Sequence, residues 1–329
     1  SARSSAHHTA HHKRPLFGPT ARARVLAQRA LENMNMLNKL KETVVSPSQK
    51  ETTSEGPPLK FDLGSMGESA RIKAEEAAGS SFHVRIGPNY PKNGQKAPSA
   101  DSLYELFSVD LFTSRECAFH LAERIKLPPP LPDAPGLQLP QVLLVTVQVP
   151  QEAPGLFSGS QDKGSALTAA FTFHLRKEVL ANAASAAPSA AVQLLARYYA
   201  RATSDQEMKK TFKMIGRARN YDALGLPGWM KRFNGKPVII HQSGEVYAGE
   251  RGGVRYLEED ILVGRWSLWA KQGVHTLMPR YPEIDAEIGF VLQGTEDDEL
   301  PEVMLGAARL PFIDVSNFPE LPAQAVELS

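Results

Sequence analysis

The chain has 329 residues, 42% of them hydrophobic, enough to bury a sizeable core as one large domain or two small ones. Its 37 basic and 36 acidic residues nearly cancel, so no global field steers it toward nucleic acid. A single cysteine, Cys117, excludes an intramolecular disulfide and a thiolate zinc cage, and the longest apolar runs, Val142–Val149 and Ala166–Phe173, fall short of the ~20 residues of a membrane span. A soluble or peripheral protein is expected.

The first residue is Ser1 rather than Met, as in a processed protein or a fragment. Residues 1–31 carry Arg3, Lys13, Arg14, Arg22, Arg24 and Arg29 before the first acid, Glu32. Such acid-poor, Arg- and Ser-containing composition fits an organellar transit peptide or its remnant, and equally a basic disordered arm. Ala23, Ala27, Leu31, Met34 and Leu37 then recur at helical spacing, and Pro47 closes the pattern. So narrow a stripe needs something to dock on, which makes residues 1–50 the expected contact with other protein subunits. Residues 46–80, rich in Ser, Gly, Pro and Glu, read as a polar linker with a short helix at 68–78. The division expected is an arm over 1–80, a domain over 81–315 and a tail over 316–329.

Phe82, Val84 and Ile86 alternate with polar residues as a half-buried strand ended by Gly87-Pro88-Asn89. Leu103–Phe112 is a second strand. Thr113 is expected to start a helix, with Glu116 completing a capping box and Ala118, Leu121 and Ile125 on one face. Cys117 on that helix reads as an inert packed thiol. A proline-rich loop, Pro128–Pro140, precedes the strand Val142–Val149, and Leu167–Leu175 alternates with His174 on its polar, solvent-facing side. Val192, Leu195, Tyr199 and Ala202 define one helix, and Met208, Phe212 and Ile215 a second. Val238–His241 and Val246–Gly249 resemble a hairpin turning at Ser243-Gly244. Tyr256–Val263 is a strand, Trp266–Leu277 a third helix, and Ala286–Gln293 and Val303–Ile313 two last strands joined by the acidic loop Glu296–Glu299. Short loops between strands predict an α+β fold: a single, mostly antiparallel sheet with long helices packed on one face, plus the extended N-terminal arm.

Three blocks carry a family resemblance. The first is Phe82–Tyr90 with Lys96–Ser99, Leu103-Tyr104 and Val109–Phe112; the second is Gln141–Pro150. The third runs through Asn234–Val238, Tyr256-Leu-Glu-Glu-Asp-Ile261 and Gly289–Gly294 to Glu299-Leu-Pro-Glu302, Leu305-Gly306 and Arg309-Leu310. In this order over some 230 residues they resemble the C-terminal domain family of the plant enhanced disease resistance 2 protein. That domain was long catalogued as of unknown function, so the resemblance brings no catalytic residues. In the plant protein it follows a pleckstrin-homology domain and a lipid-transfer START domain associated with phosphoinositides and membranes; residues 1–80 here are too short to hold either. Physically, Gly87, Pro88, Asn89 and Tyr90, and Leu300, Pro301, Glu302 and Gly306, read as fold-determining. Pro and Asn suit a turn, Pro301 precedes a strand, and Gly306 suggests a close approach or a bulge.

Glu258 and Asp260 share one face of a strand and could form a carboxylate pair or a Mg²⁺ site, but Arg255 and Arg265 are expected to neutralise them. Glu296–Glu299 lacks the spacing of a calcium loop. His120, His174, His241 and His275 stand singly, and His7, His8, His11 and His12 lie in a polar tail. Gly249–Gly253 lies between strands, where a hairpin turn needs glycine, and neither a nucleophile elbow nor a Walker motif occurs. The expectation is therefore not an enzyme, with no cofactor and no metal. Lys209, Lys210, Lys213, Arg217 and Arg219 cluster on a predicted helix and its exit, with Trp229, Lys231 and Arg232 nearby, as an anionic lipid surface would select. The function expected is an accessory or structural subunit of an organellar, membrane-associated complex in plastid or mitochondrion. The alternative is a peripheral protein recognising anionic or phosphoinositide lipids, for instance on the cytoplasmic face of an endomembrane.

Overall fold

The computed structural model describes residues 70–321 except 133–134, 156–163, 227, 241 and 317. Its strands are β1 (Glu75–Glu76), β2 (His83–Arg85), β3 (Lys96–Pro98), β4 (Tyr104–Ser114), β5 (Val142–Pro150), β6 (Ala166–Leu175), β7 (Phe212–Ala218), β8 (Pro237–Ile239), β9 (Gly244–Arg251), β10 (Val254–Leu262), β11 (Asp285–Leu292) and β12 (Met304–Pro311). Its helices are α1 (Tyr90–Asn93), α2 (Lys177–Ala183), α3 (Ala190–Arg201), α4 (Gln206–Lys209), α5 (Gly228–Lys231) and α6 (Leu268–Leu277).

The apolar runs of β5 and β6 are buried along both faces, which requires cover on both sides of their sheet. One side of the cover is a second sheet. The first sheet has the order β4-β6-β5-β10-β9 and the second β1-β12-β11-β7-β8, with β2-β3 as a separate ribbon. Neighbours are antiparallel except β5 and β10, which run parallel. Between the two large sheets lies an aromatic centre. Phe290 of β11 meets Phe171 and Phe173 of β6 edge-on at 5.5 and 5.9 Å and stacks on Phe212 of β7 at 6.0 Å, geometries that suit the ring quadrupole. Gly306 of β12 lies over this centre: a Cβ there would sit 2.6 Å from a Phe173 ring carbon. It also faces Phe290 where the β11–β12 register shifts, so close approach and bulge coincide. At the β9–β10 turn, Gly252 and Gly253 have φ of 61° and 78°, the left-handed pair that a two-residue hairpin demands.

The expected single sheet with long helices on one face is thereby corrected, among the described residues, to two facing sheets, a ribbon and helices no longer than the 12-residue α3. Alternation shows that a segment is a strand and says nothing about which sheet it joins. The helix expected from Thr113 is absent: β4 runs on to Ser114, and a single 3-10 turn, Leu121–Glu123, follows. Ala118, Leu121 and Ile125 do share a surface, packed on Phe112, Val142, Leu144 and Tyr256, which explains their helix-like spacing. Half-buried Cys117 lies in this irregular segment. The expected helix through Met208, Phe212 and Ile215 splits into α4 and β7, with Phe212 in the central core and Ile215 on the opposite face against Phe82 and Val84. The expected 238–249 hairpin is also replaced, because β8 pairs with β7 and β9 with β10, in different sheets. His174 is only half exposed, and its Nε2 is buried without a hydrogen-bond partner.

Residues 70–80, assigned from composition to the linker, are bonded into the sheets. Leu111 N donates to Ala70 O at 2.7 Å and Ile72 N to Val109 O at 3.1 Å, and β1 pairs with β12. On the same strand Leu321 N donates to Thr113 O at 2.7 Å, so both ends of the domain cover the free edge of β4 and remove an aggregation-prone edge.

Candidate functional site

The acidic run on β10 is sealed, with Glu258, Glu259 and Asp260 all 0–1% exposed. Alternation sends Glu258 and Asp260 to the outer face of the first sheet and Glu259 into the sandwich. Glu258 accepts the amides of Leu121 and Ala122 at 2.6 and 2.8 Å; Asp260 accepts Thr146 Oγ1 at 2.6 Å and the His120 amide at 3.1 Å. Glu259 accepts the Tyr198 hydroxyl of α3. Burial pushes Glu258 well above the usual carboxylate range, helped by Asp260, and raises Asp260 to about 6 and Glu259 to about 8. The expected counter-charges act elsewhere: Arg265 pairs with Glu245 at 2.5 Å, and Arg255 Nε donates to Leu139 O at 3.1 Å.

His120, a lone histidine in the sequence, joins this cluster. Its φ is 52°, its ring stacks on Tyr247 at 4.2 Å, and Nε2 lies 2.8 Å from the Tyr256 hydroxyl. That hydroxyl donates to Glu123 at 2.5 Å, and burial lowers the histidine pKa. No signal in the linear chain links position 120 to positions 247 and 256. Chemically the arrangement holds protons and pins chain segments to the sheet; among the described residues, no group of three or more His, Cys, Asp or Glu forms a metal cluster.

The predicted basic helix is dismantled. Lys213, Arg217 and Arg219 follow the period of a strand and its exit, and each cation meets an acid. Lys213 Nζ is 2.8 Å from Glu302, Arg217 2.5 Å from Glu287, Arg219 3.2 Å from Asp285, Lys209 3.5 Å from Glu245, and Lys210 2.5 Å from Glu207. Lys213 and Glu302 are both buried, and burial pulls the lysine pKa down against the pull of Glu302. At these five residues each cation of the expected lipid site is thus paired with an acid, buried at Lys213 and solvent-exposed at Lys210.

The motif residues converge. Gly87-Pro88 and Leu300-Pro301 are both cis. A Cβ on Gly87 would lie 3.1 Å from Leu300, and the Asn89 amide donates to Asp297 at 3.0 Å with Asn89 in the left-handed region. The Arg85 guanidinium lies 4.7 Å over the Tyr90 ring. Glu302 accepts the Arg85 and Gly294 amides at 3.2 and 3.1 Å besides Lys213. Segments about 200 residues apart in sequence are thus clasped around one buried carboxylate.

Residues 231–239 form the exposed counterpart. Phe233, Val238 and Ile239 are 55%, 38% and 47% exposed, beside exposed Lys231, Arg232 and Lys236. Lys231 pairs with Asp222, and Arg232 lies 4.8 Å over the Phe233 ring. No acid occurs between Asp222 and Glu245. Asn234 fastens this turn to β7, accepting the Ala218 amide at 2.7 Å and donating to its carbonyl at 3.1 Å. Of the expected cations, 231 and 232 belong here; Phe233, Val238 and Ile239 were missed because an edge strand and a core strand share one apolar pattern. Ala23, Ala27, Leu31, Met34 and Leu37 lie outside the described residues.

Two facing sheets, antiparallel except for the β5–β10 pair, define a mixed β-sandwich. Residues 75–314 match the family model described as Protein ENHANCED DISEASE RESISTANCE 2, C-terminal, and the chain belongs to that family. No curated protein and no solved structure matches the chain.

Proposed function

We propose that this is a non-catalytic accessory domain that seats its protein on an anionic membrane surface through residues 231–239. The observation that carries the reading is the pairing of three exposed apolar side chains with three cations on an acid-free segment fastened to β7 by Asn234 at the edge of the second sheet. Apolar side chains that enter the headgroup boundary gain from burial, and each nearby cation adds about 1 kcal/mol at an anionic surface. Lys231 is shared with Asp222, so Arg232 and Lys236 supply most of the charge attraction and the apolar trio the rest. No helix among the described residues is long and apolar enough to cross a membrane, which suits attachment from one side. The sealed carboxylates of β10 support a binding rather than a catalytic role, since their acceptor atoms are taken by the protein's own amides and hydroxyls. Vesicle sedimentation of the full chain tests this. Binding is expected to phosphatidylcholine vesicles containing phosphatidylserine, weaker to pure phosphatidylcholine, and weakened about tenfold or more by Phe233→Ser with Ile239→Ser, as two buried side chains contribute roughly 1.5–3 kcal/mol each. Binding that the double substitution leaves unchanged would refute the assignment.

A further inference from the structure

Residues 115–127 cross the outer face of the first sheet without regular structure except the 3-10 turn Leu121–Glu123. Their backbone donors are met by side chains of the sheet. The Ala118 amide donates to Gln148 Oε1 at 2.8 Å, and Gln148 Nε2 returns a bond to Ala118 O at 2.7 Å. The His120 amide goes to Asp260, and the Leu121 and Ala122 amides go to Glu258. Beneath the segment, Leu121, Ala122 and Ile125 cover Phe112, Val142 and Leu144. Three of these four amides therefore depend on two adjacent buried carboxyls for their acceptors.

The structure assigns residues 115–127 the role of a proton-operated strap: closed while Glu258 and Asp260 hold a proton between them, and released, baring the apolar sheet face, once both are ionised with no cation against them. The groups that face the pair are accounted for. From β5 come neutral Thr146 and Gln148; from β9 come Glu245 and Tyr247, with Arg251 donating to Glu123 O at 2.7 Å. The strap contributes His120, Glu123 and Arg124, β10 itself contributes Tyr256, and Arg265 and Lys209 are engaged with Glu245. Burial raises Asp260 to about 6 and holds Glu258 well above the usual carboxylate range, while a released strap returns both to water and to ordinary values. The closed form then binds more protons, so rising pH favours release, by up to about tenfold per pH unit while closing takes up one proton. His120 acts in the opposite sense: its lowered pKa penalises the closed form only as pH falls through the ordinary histidine value, below the range that matters here.

Amide hydrogen exchange of the full chain between pH 6.5 and 8.5, corrected for the intrinsic rate, decides the matter. The amides of 118–122 are expected to lose at least tenfold protection over this range while those of β5 keep theirs, and Glu258→Gln is expected to flatten the dependence. If that variant does not fold, an infrared band of a protonated carboxyl in the wild-type protein at pH 7, lost in parallel with strap protection, supplies the same support. Constant protection across the range, or loss shared equally by the strap and β5, would overturn the assignment.

Discussion

On the outer face of the second sheet, Asp285 and Glu287 lie between Arg309 on one side and Arg217 and Arg219 on the other, and Glu302 holds Lys213. Across the sandwich, Glu258 and Asp260 occupy a corresponding outer face and meet each other, three backbone amides and the Thr146 hydroxyl. Both solutions satisfy buried carboxylates, but their proton linkage differs. An adjacent cation favours the charged form of a carboxylate, so the second sheet's outer face is held by ion pairs. A carboxyl buried against neutral donors keeps its proton to a higher pH, so the attachment it makes is linked to pH. The fold thus has one electrostatically fixed face and one that responds to protons.

The sharpest way to break the fixed face is at its buried pair. Lys213→Ala removes the nearer cation of buried Glu302 and leaves Arg85 Nε at 3.7 Å, so the expected cost in urea unfolding is about 3 kcal/mol, the lower end for breaking a buried pair; a loss under about 1 kcal/mol would show that Arg85 alone suffices.

The responsive side is sharpened by Glu259, the third acid of the run. Its folded pKa is raised to about 8 by burial, so the stability it contributes is fully present below the unfolded carboxylate value and is lost as pH rises toward 8. Unfolding free energy should therefore fall by about 3 kcal/mol between pH 5 and pH 8 from this group. Glu259→Gln, which keeps an acceptor for Tyr198, should flatten that slope, and an unchanged slope would assign the linkage to other groups.

The smallest effect is expected at the rim of the fixed face. Arg219→Ala removes a half-exposed cation, while Asp285 retains Arg309 and Glu287 retains Arg217. A change within about 1 kcal/mol by thermal or urea unfolding is the expected outcome, and a larger one would show that the arginines act as a network.

Much of this architecture is written locally. The uninterrupted apolar run of β5 and the alternation of β6 mark strands because burial needs those side chains on defined faces. The spacing of Val192, Leu195 and Tyr199 gives α3, and the glycine pair at 252–253 gives the β9–β10 turn. The candidate sites were legible only in part. Glu258 and Asp260 were recognisable as a same-face pair, and Lys231 and Arg232 as surface cations, yet His120 and the exposed Phe233, Val238 and Ile239 carried no distinguishing local signal.

The amino-acid sequence by itself determined the family, the period of each strong strand and helix, and the positions where only glycine fits. Tertiary structure decided which sheet each strand joins and what each charge meets. Met208, Phe212 and Ile215 fit a helical stripe, but Phe212–Ala218 forms a strand because β11 supplies its backbone partners from some 70 residues further on. Lys213, Arg217 and Arg219 look like a free basic cluster until Glu302, Glu287 and Asp285 arrive from 89, 70 and 66 residues away. The physical reason is common to both: side-chain periodicity is a property of neighbouring residues, whereas hydrogen-bond and charge partners are fixed only when distant segments are packed together.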